Sequence, residues 1–466
     1  MKPMCVCFSL LITVSLLLSA CGPAPTPVPP TVAGPTGAKY PVGTNAFAYD
    51  PNKPVNDGKP ITLTIWDGDS KYTKYFKQYQ ALYSAYHPNV TFENTSTPWD
   101  AYWQKLPLAL GAGQGPDLFH FHSDYTVQFV ESGWIAPYPA EWIPLLEQDF
   151  IGVEKHVIEG NLYYTDNGLM TGSILYNKDM WEAAGLTDND IPKNWAEFTA
   201  VAKKLTKVEG DKTVVEGFAI NGNTPGYLFQ ALKYQAGGYL FAANGKTVIA
   251  GESAKKAVQQ LYDWYYTDKI SDITFPSSGE SFGTGKAAMT YQWGWFANVM
   301  KNTYPSIKYG VFALPTFTGQ IAPAVDRTNG DATLGVNAAV SAERKAVAFD
   351  FVHFLIDNED ANIQAALMTN QAPVMKRIMD RPELVDNVIT KVAAAYIDHT
   401  IWPGPIPPNF DSINLATIAD GLKANQSVND IVKAWETKQN ENLAAQTKAW
   451  WIYERNYAFD DLMTEK

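Results

Sequence analysis

The chain has 466 residues, a formal charge of −12, 13% aromatic residues and 3 cysteines. Such a negative charge makes nucleic acid and anionic membrane surfaces poor partners. The length exceeds what one hydrophobic core normally serves, so two lobes are expected, and no period of 20–50 residues points to a solenoid or propeller.

An apolar run from Phe8 to Leu18 follows Lys2 and leads into Leu18-Ser19-Ala20-Cys21-Gly22. The run is too short to cross the ~30 Å hydrocarbon core of a bilayer. It reads as the h-region of an export signal, and a small-residue cleavage site ending on cysteine resembles a bacterial lipoprotein signal. Residues 1–20 would then be removed with Cys5 and Cys7, and Cys21 would become the lipidated N-terminus, carrying palmitate-type acyl chains. Loss of Lys2 leaves the mature chain at −13. With one cysteine left, disulfides cannot hold the fold. Residues 22–60 hold ten prolines among Thr, Gly, Ala and Val, the composition of an extended tether. The expected product is an extracytoplasmic, monomeric body that meets the membrane only through its anchor.

The body opens with Ile61–Trp66, an apolar β-rich run, followed by a helical stretch from Lys71 to Tyr86 and the strand Val90–Asn94. A helix from Asp100 to about Leu110, the turn 111–117 and the strand Leu118–His122 continue the rhythm. Alternation of this length makes βαβ units, an α/β sheet with helices on both faces. Asn194, three residues before Glu197, predicts a capped helix Trp195–Thr206. Ala254, Ala257, Val258, Leu261, Trp264 and Tyr265 form one helical stripe, and Ala346 to Leu355 reads as a largely buried helix. Ala449-Trp450-Trp451-Ile452-Tyr453 is too aromatic for a free tail and predicts an extra packed helix in the extension 446–466. All five arginines lie after position 326; the absence of this bidentate anion binder from the first two-thirds disfavours an anionic ligand.

Five segments in order carry a resemblance: Gly115-Pro116-Asp117 before a strand, Leu175-Tyr176-Asn177-Lys178 before Ala183-Ala184-Gly185-Leu186, Pro192-Lys193-Asn194-Trp195, Phe282–Thr290 before Trp295, and Leu314-Pro315-Thr316-Phe317 with the strand Gly335–Ala339. Together, from about Ile61 to Ala445, they resemble the family 1 extracellular solute-binding proteins of ABC importers, in their maltose-binding-protein-like branch. The resemblance implies a two-lobed α/β periplasmic-binding-protein fold with discontinuous lobes and a hinge of two to three crossings, near Leu169–Ser173, Ala332–Val336 and Met375–Pro382. Lobe one would be 61–169 plus 336–375, and lobe two 173–331 plus 383–445. It further implies a saccharide, mono- or oligosaccharide, trapped between the lobes and delivered to the transmembrane subunits of a permease, with no catalysis and no cofactor.

By the same resemblance the ligand side chains are Asp67, Asp69 and Ser70 after the first strand, Phe121, His122, Asp124 and Tyr125 at the end of the third, and Tyr227, Trp293 and Trp295 from the other lobe. Tyr125 stands where an arginine is expected and Asn414 near where a tryptophan is, which sets the chain apart from the maltodextrin binders. An aromatic ring covers the C–H face of a sugar while carboxylates and amides take its hydroxyls. Asp67 and Asp69 are equally suited to cap the following helix, and Asp117 to brace its own turn. His120 and His122, at i and i+2, could share a metal, but no second cluster accompanies them and no metal is expected. Two other readings suit an acidic, aromatic groove: a polyamine- or oligopeptide-binding lipoprotein, and a secreted glycoside hydrolase with Asp69 and Asp124 as its carboxyl pair.

Overall fold

The strand and helix alternation of the sequence becomes β1 (Ile61–Asp67), α1 (Ser70–Tyr86), β2 (Val90–Ser96), α2 (Trp99–Gly111) and β3 (Leu118–His122) in the computed structural model, which describes residues 47–321, 323–385 and 388–466. The expected signal 1–20, Cys21 and the expected tether as far as residue 46 lie outside the described residues. β1 pairs in parallel with β2, Ile61 opposite Val90, and with β3, Ile65 opposite Leu118, as helical crossovers require. Asp117 braces the turn into β3: buried, it accepts from the Thr64 N–H and hydroxyl and pairs with Arg344.

Two strands carry the chain between lobes. β4 (Asp166–Thr171) belongs to the first sheet; after Gly172 the chain enters β5 (Ser173–Asn177) of a second sheet. The hairpin β6 (Lys207–Glu209) and β7 (Lys212–Val215) follows, then β8 (Met289–Gln292) and β9 (Tyr309–Ala313), which flank β5 antiparallel. β10 (Asp326–Val336) returns to the first sheet, running antiparallel to β4 and β3 and starting parallel to β11 (Thr400–Ile401). The first sheet is therefore ordered β11-β10-β3-β1-β2, with β4 on β10. A Cβ on Gly172 would lie 2.0 Å from the Tyr291 ring, so the turn between the sheets has room only for glycine.

Each sheet has its own core. Leu63, Phe76, Tyr83, Phe351 and Met375 pack in the first, Phe198, Phe218, Leu232, Trp264 and Trp435 in the second. Phe47 and Val55 already sit in the first core, so the body starts before residue 61. Val325 packs in the second core and Leu334 in the first, which places the crossing of β10 over its early residues, ahead of the expected 332–336. Ile378 and Leu384 stay with the first core, whereas Ile389 packs with Leu175, Phe296 and Val311 of lobe two, so the chain reaches lobe two between 384 and 389; Ile397 touches the first core again before Ile401 joins the second. Residues beyond 445 form two short 3-10 turns, Trp450–Arg455 and Asp460–Leu462, in place of an α-helix.

Local signals account for the helices. Asn194 accepts the Glu197 N–H at the start of helix Trp195–Leu205, while the Glu197 carboxylate takes the Lys193 N–H, one residue ahead of the usual box partner. Helix Glu252–Tyr266 buries the predicted stripe, Ala254 through Tyr265, against the second core.

Three carboxyls in lobe two and at its border are wholly buried, and burial pushes them up: Asp326 to about 6, Glu454 to about 7 and Glu216 to about 8. An acid with a folded pKa above its unfolded value holds extra protons in the folded state. Its stabilisation is present below the unfolded value and lost as pH rises through the folded one. The contribution of these three groups to stability should therefore fall from about pH 4.5 to about pH 8. Scanning calorimetry should find the fall shallower in Glu454→Gln; an equally steep variant would remove Glu454 from the cause.

Candidate functional site

Between the lobes lies a cleft of about 990 Å³, at the upper end of the range of ligand pockets. Lobe one lines it from the ends of β1 and β3 and the start of α2; lobe two lines it from helix Thr224–Gln235, the turn Ser277–Glu280 and the end of β8. Early β10 forms its floor through Arg327 and Asn329.

Arg327 is buried, and its guanidinium lies 5.4 Å from the Trp293 ring centre and 5.8 Å from that of Tyr227. Its Nη1 donates to Gln230 at 2.8 Å and to both Asp411 carboxylate oxygens at 3.2 Å. Burial works against its charge, and the Asp411 and Asp124 carboxylates more than offset that, holding its pKa above the ordinary value. Burial likewise raises the Tyr227 hydroxyl. Tyr227 and Asp411 stand on closely packed helices, Thr224–Gln235 and Phe410–Lys423: a Cβ on Gly226 would meet the Leu415 backbone at 2.7 Å.

Gly294 separates the two rings of Trp293-Gly294-Trp295. A Cβ there would lie 2.2 Å from the Asn370 carbonyl of lobe one, so glycine lets this turn approach the opposite lobe. Trp293 is buried, whereas Trp295 is 47% exposed. Around them the cleft is polar. Thr224 and Ser278 hydroxyls are 2.6 Å apart, Gln292 donates to Ser278 at 3.3 Å, and Asp69, Asp124, Glu280 and Asp411 supply carboxylates.

Of the residues singled out from sequence, Asp69, His122, Asp124, Tyr227, Trp293 and Trp295 line this cleft, and Asp67, Ser70, Phe121 and Tyr125 do not. Asp67 is wholly buried and accepts hydroxyl hydrogen bonds from Thr73 and Ser96, holding α1 to β2. Asp69 also caps α1, accepting from the Lys71 N–H. Ser70 is exposed on the first turn of α1. Phe121 is fully buried against Phe129 and Tyr164, because strand alternation sends it to the face opposite His122. Tyr125 stacks face to face on Trp103 at 3.8 Å and borders a second cavity, of about 340 Å³, beside Asp124 and Asp411. Asn414 is buried and donates to the Gly226 carbonyl. His120 packs its ring 4.0 Å from that of Tyr72, and among the described residues no three His, Cys, Asp or Glu side chains gather as a metal would need.

Sequence reasoning missed Trp99, Arg327 and Asp411. Trp99 precedes Tyr102 and Trp103 by one helical turn and so reads as part of their buried stripe, yet it is 38% exposed and lines the cleft. Arg327 and Asp411 are 84 residues apart and carry no local signal.

Residues 68–362 match the family model of the bacterial extracellular solute-binding proteins. The diacetylchitobiose binding protein DasA of Streptomyces coelicolor is 24% identical over 412 residues, 83% of this chain and 90% of that protein. The fold is shared with the cyclic alpha-maltosyl-1,6-maltose binding protein of Arthrobacter globiformis, at a TM-score of 0.70 and 17% identity over 83% of this chain and all of the other. It is shared also with UgpB of Mycobacterium tuberculosis in complex with glycerophosphocholine, at 0.69 and 20% identity over 82% of this chain and 98% of that one. With well over half of its length matched, and with two α/β lobes around a lined cleft, the chain belongs to the bacterial extracellular solute-binding protein family, family 1 of the ABC importers.

Proposed function

We propose that the chain is an extracytoplasmic lipoprotein that captures a neutral saccharide between its two lobes and delivers it, as a monomer, to the transmembrane subunits of an ABC permease. One observation carries the reading. Of fourteen tryptophans only Trp99 and Trp295 are exposed, and both line the same cleft, one from each lobe. Exposed indole faces beside hydroxyls, amides and carboxylates suit a ligand with flat C–H faces ringed by hydroxyls. Arg327, the arginine of the cleft, has its Nη1 on Asp411 and Gln230, so the Asp411 carboxylate already balances its charge and an anionic ligand would have to compete with it. The saccharides named for the Streptomyces and Arthrobacter proteins point the same way. Binding without catalysis fits as well: the carboxyls that burial pushes up, Asp67, Glu216, Asp326 and Glu454, stand outside the cleft lining, where a glycosidase would need its acid.

The four carboxylates of the cleft against Lys71 and Arg327 favour a polycation as the second reading. A thermal-shift panel separates the two. A saccharide bound by the folded state alone stabilises it by about 2.7 kcal/mol at a hundredfold excess over Kd. A rise in melting temperature with a mono- or oligosaccharide is expected; a rise with spermidine and with no sugar would sink the saccharide reading.

Trp295→Ala should weaken saccharide binding at least tenfold, about 1.4 kcal/mol, with little change in stability because the ring is half exposed. Phe121→Ala, by contrast, should cost about 3–5 kcal/mol of folding stability as a core truncation. Isothermal titration beside urea unfolding measures both, and a Trp295 variant that binds normally takes the ring out of the site.

Cys21→Ser should give a protein that no longer partitions with detergent and still binds the same ligand. Continued partitioning would refute the lipid anchor.

A further inference from the structure

The C-terminal segment 446–466 is rooted in lobe two. Trp451, Tyr457, Phe459 and Met463 pack in its core, and the buried Glu454 carboxylate accepts from the Tyr234 hydroxyl and the Leu240 and Phe241 N–H groups. Glu465 accepts from the Ser253 N–H and hydroxyl, and that hydroxyl in turn accepts from the buried Lys233. The Tyr457 hydroxyl accepts from the Trp402 N–H, and Trp451 donates to the Gly245 carbonyl.

The same segment also grips lobe one. Trp450, 4% exposed, packs on Val127 and Ile158, with Val130, Tyr163 and Tyr453 around it. The Glu159 N–H donates to the Tyr453 hydroxyl at 3.0 Å, Lys448 reaches the Glu159 carboxylate at 3.0 Å, and the Thr447 hydroxyl donates to Glu131 at 2.8 Å. Lys155 lies 4.2 Å over the Tyr457 ring. Val127 and Glu131 belong to α3 (Thr126–Glu131), the helix that directly follows Asp124 of the cleft. The exposed ion pair contributes little. Trp450, the desolvated ring, is the principal fastening.

We propose that residues 446–466 are an interlobe strap: anchored in the core of lobe two, it holds α3 of lobe one through Trp450 and thereby sets the resting angle between the lobes. A segment fixed in one body and seated by a ring in the other biases any rotation that would unseat the ring. Its removal need not abolish the cleft, since no residue beyond 445 lines it.

The test is made on the full chain with its three cysteines replaced by serine and spin labels on Lys77→Cys and Lys204→Cys, both exposed and one in each lobe. Pulsed electron resonance reads the interlobe distance without ligand, so the outcome is independent of what the cleft binds. In Trp450→Ala the fraction of molecules at the wild-type distance should fall at least twofold. Val127→Ala trims the same contact from lobe one and should move the distribution in the same direction, and it decides the matter if the tryptophan variant does not fold. Glu159→Ala should leave the distribution unchanged. Wild-type distributions in a folded Trp450→Ala or in Val127→Ala would overturn the strap.

Discussion

Two adjacent buried charges at the start of β10 hold hinge and cleft together. Ions withdrawn from water persist only when paired or fully hydrogen-bonded. Asp326 is wholly buried and accepts from the Gly172 N–H at 2.9 Å, the Tyr291 hydroxyl at 2.8 Å and the Arg327 N–H at 2.6 Å. Those donors stand on the link from β4 to β5, on β8 and on β10, so one carboxyl ties three of the strand segments that meet at the junction of the sheets. Burial nonetheless leaves its pKa at about 6 despite these three lowering hydrogen bonds. Arg327, the next residue, engages a different set: Gln230 and Asp411 beneath Tyr227 and Trp293. Successive side chains of a strand leave on opposite faces, and here one face serves the hinge and the other the cleft floor.

The cleft inherits its character from that arrangement. Because Arg327 spends its charge on Asp411, the most basic group near the site is internal to the wall and the surface offered to a ligand is acidic and hydroxylic. Trp293 and Tyr227 lie over the guanidinium, which makes them part of the floor's construction as much as of its binding surface. The exposed rings are Trp295 and Trp99. The first is brought to the opposite lobe by Gly294, and the second sits where Pro98 ends the strand and α2 begins.

Short-range patterns made the elements legible in the sequence: the apolar run of β1, the cap at Asn194 and the stripe of Ala254 to Tyr265 each depend on residues within a turn or two of one another. The loops after β1 and β3 were legible for the same reason, while Asp69, His122 and Asp124 came from the family resemblance that points to those loops. Phe121 failed because it lies one residue from His122 on a strand, where a single step reverses the face. Tyr125 failed because Trp103, on α2, takes its ring face, a pairing with no sequence signal. Arg327 stands in the sequence only as the first of five late arginines, and it meets the cleft because β10 folds back through the junction, a long-range event invisible in composition.

The hydrogen bonds of Asp326 also restrict how the lobes can move. Its donors from Gly172 and Arg327 are backbone groups at the crossing itself, and Tyr291 lies against Gly172 with no space for a side chain. A sliding of one sheet along the other would strip the carboxyl of these donors and leave a buried charge unpaired, a cost of several kcal/mol. Rotation about the Gly172 turn would keep the Gly172 and Arg327 N–H groups on the carboxylate, since both belong to the crossing itself. The buried aspartate thus disfavours shear relative to hinge bending, the motion that would bring Trp99 and Trp295 toward each other across the cleft.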